Sequence, residues 1–208
     1  MFAIQLNKIG KKFGREWIFR HLDFELAASD KLVILGGNGS GKSTLLQLIS
    51  GFILPNEGQL NYTLRGVNVV PEELNRHISF ASPYLQLIEE FNLTELSRHC
   101  EVYKPFLKGI GAAEFMQIIE LEHARHKSLK QFSSGMKQRV KLGLAILCDT
   151  PLLMLDEPLS NLDKNGVRWY RGMMEQYGSD RTVVVCSNAI SEEFEFCKRQ
   201  LNVMDFKP

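Results

Sequence analysis

The stretch "GGNGSGKS" at residues 36–43 constrains this chain more than any other. It matches G-x-x-x-x-G-K-[ST]. It lies between a short apolar run, "KLVIL" (31–35), and a segment with Leu45, Leu46, Leu48, Ile49 and Phe52 at helical spacing. A buried strand, a glycine loop and a helix in that order make a phosphate cradle. Glycines let the backbone curl until successive N–H groups point at phosphate oxygens. Gly36, Gly37, Asn38, Gly39, Ser40, Gly41, Lys42, Ser43 and Thr44 are therefore the candidate nucleotide-contacting residues. Lys42 brings a point charge toward the β and γ phosphates, and Ser43 places a hydroxyl for Mg²⁺.

The second half of such a site is supplied by "LLMLDEP" (152–158). Four apolar residues predict a buried strand with two acids at its C-terminal end, where α/β sheets bind ligands. Asp156 is the candidate holder of Mg²⁺, and Glu157 the candidate general base that polarises an attacking water.

The rest of the chain supports an α/β reading. In "WIFRHLDFEL" (17–26), Ile18, Leu22, Phe24 and Leu26 predict a half-buried antiparallel ribbon, and "PNEG" (55–58) predicts a turn. Residues 92–131 are polar, helical in period and punctuated by Pro105, Gly109 and Gly111, which predicts a smaller helical subdomain at roughly 86–133. "LLML", a helix near 164–177, "TVVVC" (182–186) and "LNVMD" (201–205) then restore a strand–helix alternation, the mark of a mainly parallel sheet. Residues 1–208 are expected to form one domain.

A net charge of +1 gives no bulk attraction to nucleic acid or anionic lipid. The four cysteines form no C-x-x-C pair, every long apolar run is broken by charge, and the start shows no secretory pattern. A cytoplasmic protein is expected, with any membrane link made through a partner.

A further anion site is suggested by "FSSGMKQRV" (132–140), where a Ser-Ser-Gly turn runs into a helix expected over 134–148. A helix start offers free N–H groups and the positive end of the dipole, although an ordinary N-cap would leave the same trace.

As a set, the glycine loop, the Ser-Ser-Gly helix start and the strand ending in Asp-Glu-Pro resemble the ATP-binding subunits of ABC transporters, over roughly residues 4–205. The resemblance implies a P-loop NTPase, RecA-like core with an antiparallel β subdomain and a small helical subdomain carrying the signature loop. It implies ATP and Mg²⁺ as cofactors, ATP hydrolysis, and a head-to-tail dimer of the chain with itself or a related subunit. In that dimer Ser133, Ser134 and Gly135 of one chain would cap the ATP held by the other's P-loop. "SNLD" (160–163) resembles the family's D-loop and puts Asp163 at the interface. Phe13, in "KFG" (12–14), falls where an aromatic stacks on adenine, with Trp17 a second contender and a strand or core phenylalanine the alternative.

Two positions depart from the family. Its glutamine after the strand "ISFAS" (78–82) falls on Pro83, leaving Gln86 as the candidate substitute near the metal. Its histidine after the strand "VVVC" falls on Asn188, which can donate a hydrogen bond but cannot become cationic. The resemblance thus implies an ATP-hydrolysing subunit, held at the membrane by separate membrane-spanning subunits that "SPYLQLIEEFNLTEL" (82–96) could meet, its apolar residues being equally suited to a core. The alternatives are a regulatory ATP-binding subunit with weak hydrolysis, which the two departures favour, and a soluble ATPase acting on nucleic acid or the ribosome. The last usually carries a second cassette or a coiled-coil insertion, so no nucleic-acid partner is expected.

Overall fold

Residues 2–208 are described by a computed structural model. The chain begins with a hairpin of β1 (Phe2–Phe13) and β2 (Glu16–Leu26), followed by β3 (Lys31–Leu35), α1 (Lys42–Ile49), β4 (Glu57–Leu64) and β5 (Val67–Asn68). A one-turn α2 (Leu74–His77) leads into β6 (Ile78–Ala81), then α3 (Leu93–Tyr103) and α4 (Ala112–Ile118). The last part comprises α5 (Ser134–Leu147), β7 (Leu152–Asp156), α6 (Lys164–Tyr177), β8 (Thr182–Ser187) and β9 (Arg199–Asn202).

These strands form two sheets. One is antiparallel in the order β2-β1-β4-β5; the other has the order β6-β7-β8-β3-β9, with every neighbouring pair parallel. Alternation along the parallel strands assigns each residue to a face. Leu152, Met154, Val184, Cys186, Leu32 and Ile34 point toward α1 and the antiparallel sheet. Leu153, Leu155, Val183 and Val185 point the other way, into a core shared with α5, α6 and the 93–131 segment. Being covered on both faces, these strands read as unbroken apolar runs, which is why "LLML" and "TVVVC" stand out in the sequence.

Several expectations are corrected in detail. The helix after the glycine loop stops at Ile49, because Gly51 at φ +77 sits just past its end and turns the chain away. Phe52 is consequently left 63% exposed, its ring edge-on to Phe80. The expected 55–58 turn is cut short by β4, which begins at Glu57 and pairs with β1. The final segment is a strand only to Asn202, and Val203–Phe206 form a 3₁₀ turn. The helical segment opens with a capping box, Asn92 Oδ1 accepting from Glu95 N at 2.9 Å and Glu95 Oε2 accepting from Asn92 N at 2.9 Å. Its Leu93, Leu96, Phe115 and Ile119 share one core with the parallel sheet. Among the described residues, no helix is long and apolar enough to cross a membrane.

Candidate functional site

The loop between β3 and α1 turns on backbone that only glycine tolerates. Gly41 adopts φ +105, and a Cβ there would meet Ile18 Cγ2 at 2.4 Å; a Cβ on Gly36 would meet Ser40 Oγ at 2.4 Å. The loop lines a cavity of about 420 Å³ bounded by residues 38–44, Ile18, Tyr84, Glu157 and Asn188.

Lys42 is 5% exposed and fully engaged. Its Nζ donates to Gly36 O (2.8 Å), Gly37 O (3.0 Å) and Asn188 Oδ1 (2.6 Å). The other end of the same amide, Asn188 Nδ2, donates to Glu157 Oε1 at 2.7 Å. One carboxamide therefore ties the loop lysine to the acid that ends the "LLMLDEP" strand. Glu157 itself has φ +44, a left-handed conformation costing about 1–3 kcal/mol in a non-glycine residue. Its N–H donates to Cys186 O in β8 at 2.9 Å, and the forced turn holds its carboxylate at the cavity wall.

Behind it, Asp156 is 3% exposed at the end of β7, and its Oδ1 has no hydrogen-bond partner. Burial pushes its carboxyl upward; the Ser43 hydroxyl opposes that shift, the Glu157 charge adds to it, and Lys42 and the Ser82 hydroxyl oppose it. A desolvated carboxylate with a spare oxygen, with Ser43 on the cavity wall and Ser82 level with it at the end of the neighbouring strand, is an all-oxygen donor set that suits a hard divalent cation. The residues present thus fit Mg²⁺.

The helix start at 133 lies elsewhere. Ser133 Oγ caps α5 by accepting from Met136 N at 3.2 Å, as an ordinary N-cap does, and its O–H remains free to donate. A separate cavity of about 380 Å³ lies here, lined by Ser133, Ser134, Gly135, Arg139, Asn161 and Asp163 among others, and it shares no residue with the first. Asp163 Oδ1 caps α6 through Gly166 N at 2.7 Å.

Two expected residues are not brought to the glycine-loop cavity. Gln86 is exposed and lines a neighbouring cavity with Glu89, Glu90, Lys137 and Lys141, because the backbone turns at Ser82–Leu85 and carries it past the metal side. Phe13 is 54% exposed at the hairpin tip, with the Lys11 ammonium 5.2 Å from its ring, and Ile18 is the hairpin residue on the cavity wall. Trp17 is held in its own sheet, with the Arg20 guanidinium 4.3 Å and the Lys12 ammonium 5.0 Å from its ring. Sequence reasoning missed Tyr84 on the cavity wall and Ser82 beside Asp156; their place directly after β6, parallel to β7, was the available signal.

A parallel sheet with its glycine loop after β3 and its acids at the end of β7 defines a P-loop nucleotide-binding fold. The chain belongs to the ABC transporter family, whose sequence profile matches residues 19–160. It is 31% identical over 181 residues to the sulfate/thiosulfate import ATP-binding protein CysA of Nephroselmis olivacea, covering 84% of this chain and 52% of that relative. The chain thus spans about half the length of the CysA relatives it matches. It is 28% identical over 191 residues to the cytochrome c biogenesis ATP-binding export protein CcmA of Brucella abortus (strain 2308), covering 90% of this chain and 85% of the relative. Among solved structures, a dimeric ATP-binding cassette in a post-hydrolysis state with ADP and Pi superposes with a TM-score of 0.80 at 22% identity, covering 96% of this chain and 93% of that one. A putative ABC transporter ATP-binding protein from Pyrococcus furiosus gives 0.79 at 19% identity, covering 99% of this chain and 100% of that one. At these identities the structures establish the fold alone.

Proposed function

We propose that this chain binds and hydrolyses ATP and thereby powers transport by separate membrane-spanning subunits, at whose cytoplasmic side it sits. The observation that carries this reading is the Lys42–Asn188–Glu157 hydrogen-bond chain, with the unpartnered Asp156 oxygen beside it. Loop N–H groups and Lys42 would hold the β and γ phosphates. Asp156 and Ser43 would hold Mg²⁺, which when bound supplies charge neutralisation on the transferring phosphate. Glu157 would orient the attacking water and accept its proton, with Asn188 fixing the carboxylate.

The second cavity, at Ser133–Gly135, supports a head-to-tail dimer. It faces no phosphate loop of its own chain, yet it offers a helix N-terminus suited to a γ-phosphate. One similar relative is named an importer and another an exporter, so the proposal stops short of direction and cargo.

The regulatory alternative draws on one observation: every Lys42 donor is engaged within the chain, through contacts that an incoming phosphate must displace. Phosphate release by the unaltered chain that vanishes in Glu157→Gln separates the two readings, and light scattering on purified Glu157→Gln, with and without Mg-ATP, tests self-pairing. A monomer-to-dimer shift is expected. A variant that binds Mg-ATP and stays monomeric would overturn self-pairing and favour a regulatory subunit completed by another chain.

A further inference from the structure

Where the family would place a glutamine near the metal, this chain has Pro83, whose side chain cannot donate or accept. The neighbouring residue is better placed. Strand β6 runs parallel to β7 with Ala81 beside Leu155, so the next residue, Ser82, comes level with Asp156 at the ligand end of the sheet. Ser82 is only 6% exposed, and by the alternation of two parallel strands in register its side chain leaves the sheet on the same side as that of Asp156.

Three contacts hold it there. Tyr84 N donates to Ser82 Oγ at 3.3 Å, Leu85 N donates to Ser82 O at 3.2 Å, and Lys141 Nζ donates to Pro83 O at 2.6 Å. The proline thus has a use: its fixed φ and its anchored carbonyl stiffen the turn that presents the serine. A serine hydroxyl carries one donor and two lone pairs. With one lone pair toward Tyr84 N–H, the proton and a second lone pair are left for the Asp156 and cation side.

We propose that Ser82 is a metal-side ligand of this site, its hydroxyl oxygen meeting the divalent cation or a water on it, beside Asp156 and Ser43, in the role that Pro83 cannot fill. The inference rests on the nucleotide-site reading above and assigns one more residue to it.

The test is a binding titration without turnover. Retention of a slowly hydrolysed fluorescent ATP analogue is followed as free Mg²⁺ rises, for the unaltered chain and for Ser82→Ala, Ser82→Cys, Asp156→Asn and Lys42→Ala. Ser82→Ala should need about tenfold more Mg²⁺ for half-maximal retention, the scale on which metal-site partners act, with metal-free binding unchanged. Ser82→Cys, close in volume to serine, should lose Mg²⁺ response and regain retention with Cd²⁺, because a thiol prefers the softer ion. That switch carries the test should Ser82→Ala fail to fold, since a merely structural serine would not change ion preference. If Asp156→Asn shifts the Mg²⁺ curve while Ser82→Ala overlays the unaltered chain and Ser82→Cys gains nothing from Cd²⁺, the assignment of Ser82 is overturned and the site reading stands. If Lys42→Ala and Asp156→Asn both leave retention unaffected, the site reading itself fails, and this inference with it.

Discussion

Lys42 has three N–H donors and spends all of them inside its own chain, on Gly36 O, Gly37 O and Asn188 Oδ1. A phosphate entering the loop must therefore displace an existing bond, and the net gain is smaller than the charge alone suggests. On the proposed reading Asn188 acts oppositely on binding and on chemistry: its Oδ1 competes for the lysine, while its Nδ2 holds the Glu157 carboxylate. Asn188→Ala should tighten metal-free ATP binding by roughly threefold, the worth of a fraction of one charge-assisted hydrogen bond. Turnover should fall at least about tenfold as Glu157, the proposed general base, loses its tether. Equilibrium dialysis and phosphate release read the two effects separately, and a parallel loss of both would mean that Asn188 contacts the phosphate directly. At this scale the loop and the two acids were legible, because each motif is local and its residue types are set by the chemistry. The bridge from Lys42 to Asn188 was not, since 146 positions separate them and only the sheet brings them together. The place of Tyr84 on the cavity wall was hidden for a similar reason: it depends on the turn after β6, which also carries Gln86 to a neighbouring cavity.

Glu157 and Asn188 sit on the turns that follow β7 and β8, and one buried carboxylate links those turns. Glu193 is 1% exposed on the 3₁₀ turn Ser191–Glu193. Its Oε1 accepts from Leu159 N at 3.2 Å, its own carbonyl accepts from Tyr170 Oη on α6 at 2.8 Å, and its Oε2 has no partner. Burial raises its pKa, with the Ser187 hydroxyl and the Leu159 N–H opposing and the Glu157 and Asp156 charges adding to the rise. A carboxyl whose folded pKa lies above its unfolded value binds more protons when folded, so its contribution to stability is full at low pH and lost as pH rises through the folded pKa. Glu193→Gln keeps the acceptor for Leu159 and removes the buried charge. It should raise Tm near pH 7 by roughly 2–4 °C, about 1 kcal/mol for a chain of this size, with the advantage shrinking as pH falls toward 5. Thermal unfolding across that range checks the slope; an advantage that stays constant with pH would assign the gain to something other than the charge. Elements were legible where burial on two faces writes an apolar run, as in β7 and β8, or where caps mark the ends, as Asp163 and Gly178 bound α6. Strand β4 escaped notice because its alternation covers only Leu60, Tyr62 and Leu64, and its pairing with β1 joins Ile4 to Tyr62 across most of the hairpin and the glycine loop.

The two anion-suited cavities of this chain share no residue, and on the proposed reading each lacks half of a closed phosphate site. The Glu157, Asn188 and Lys42 cavity has an acid, an amide and an ammonium but no second helix N-terminus over the γ-phosphate. The Ser133–Gly135 cavity has the helix N-terminus and no lysine. A two-fold, head-to-tail pair, as proposed, would complete both at once, because a two-fold axis applies each contact twice. The arrangement makes a prediction that no single-chain mechanism shares. Lys42→Ala removes the charge from the loop a chain carries, and Ser134→Glu sets a carboxylate in the loop it lends, at an exposed first helical turn where an acid favours the helix. Each variant alone should be nearly inactive, since each defect falls on both sites of its own dimer. In an equal mixture about half the dimers are mixed, and each mixed dimer concentrates both defects in one site and leaves the other intact. Phosphate release should therefore return to about one quarter of the unaltered rate if the two sites act independently. Recovery well below that, with mixed dimers demonstrably formed, would mean the sites fire only as a pair. A mixture as inactive as its parents, with no mixed dimer detected, would place the complementary helix N-terminus on a different subunit and make this chain one half of an unlike pair.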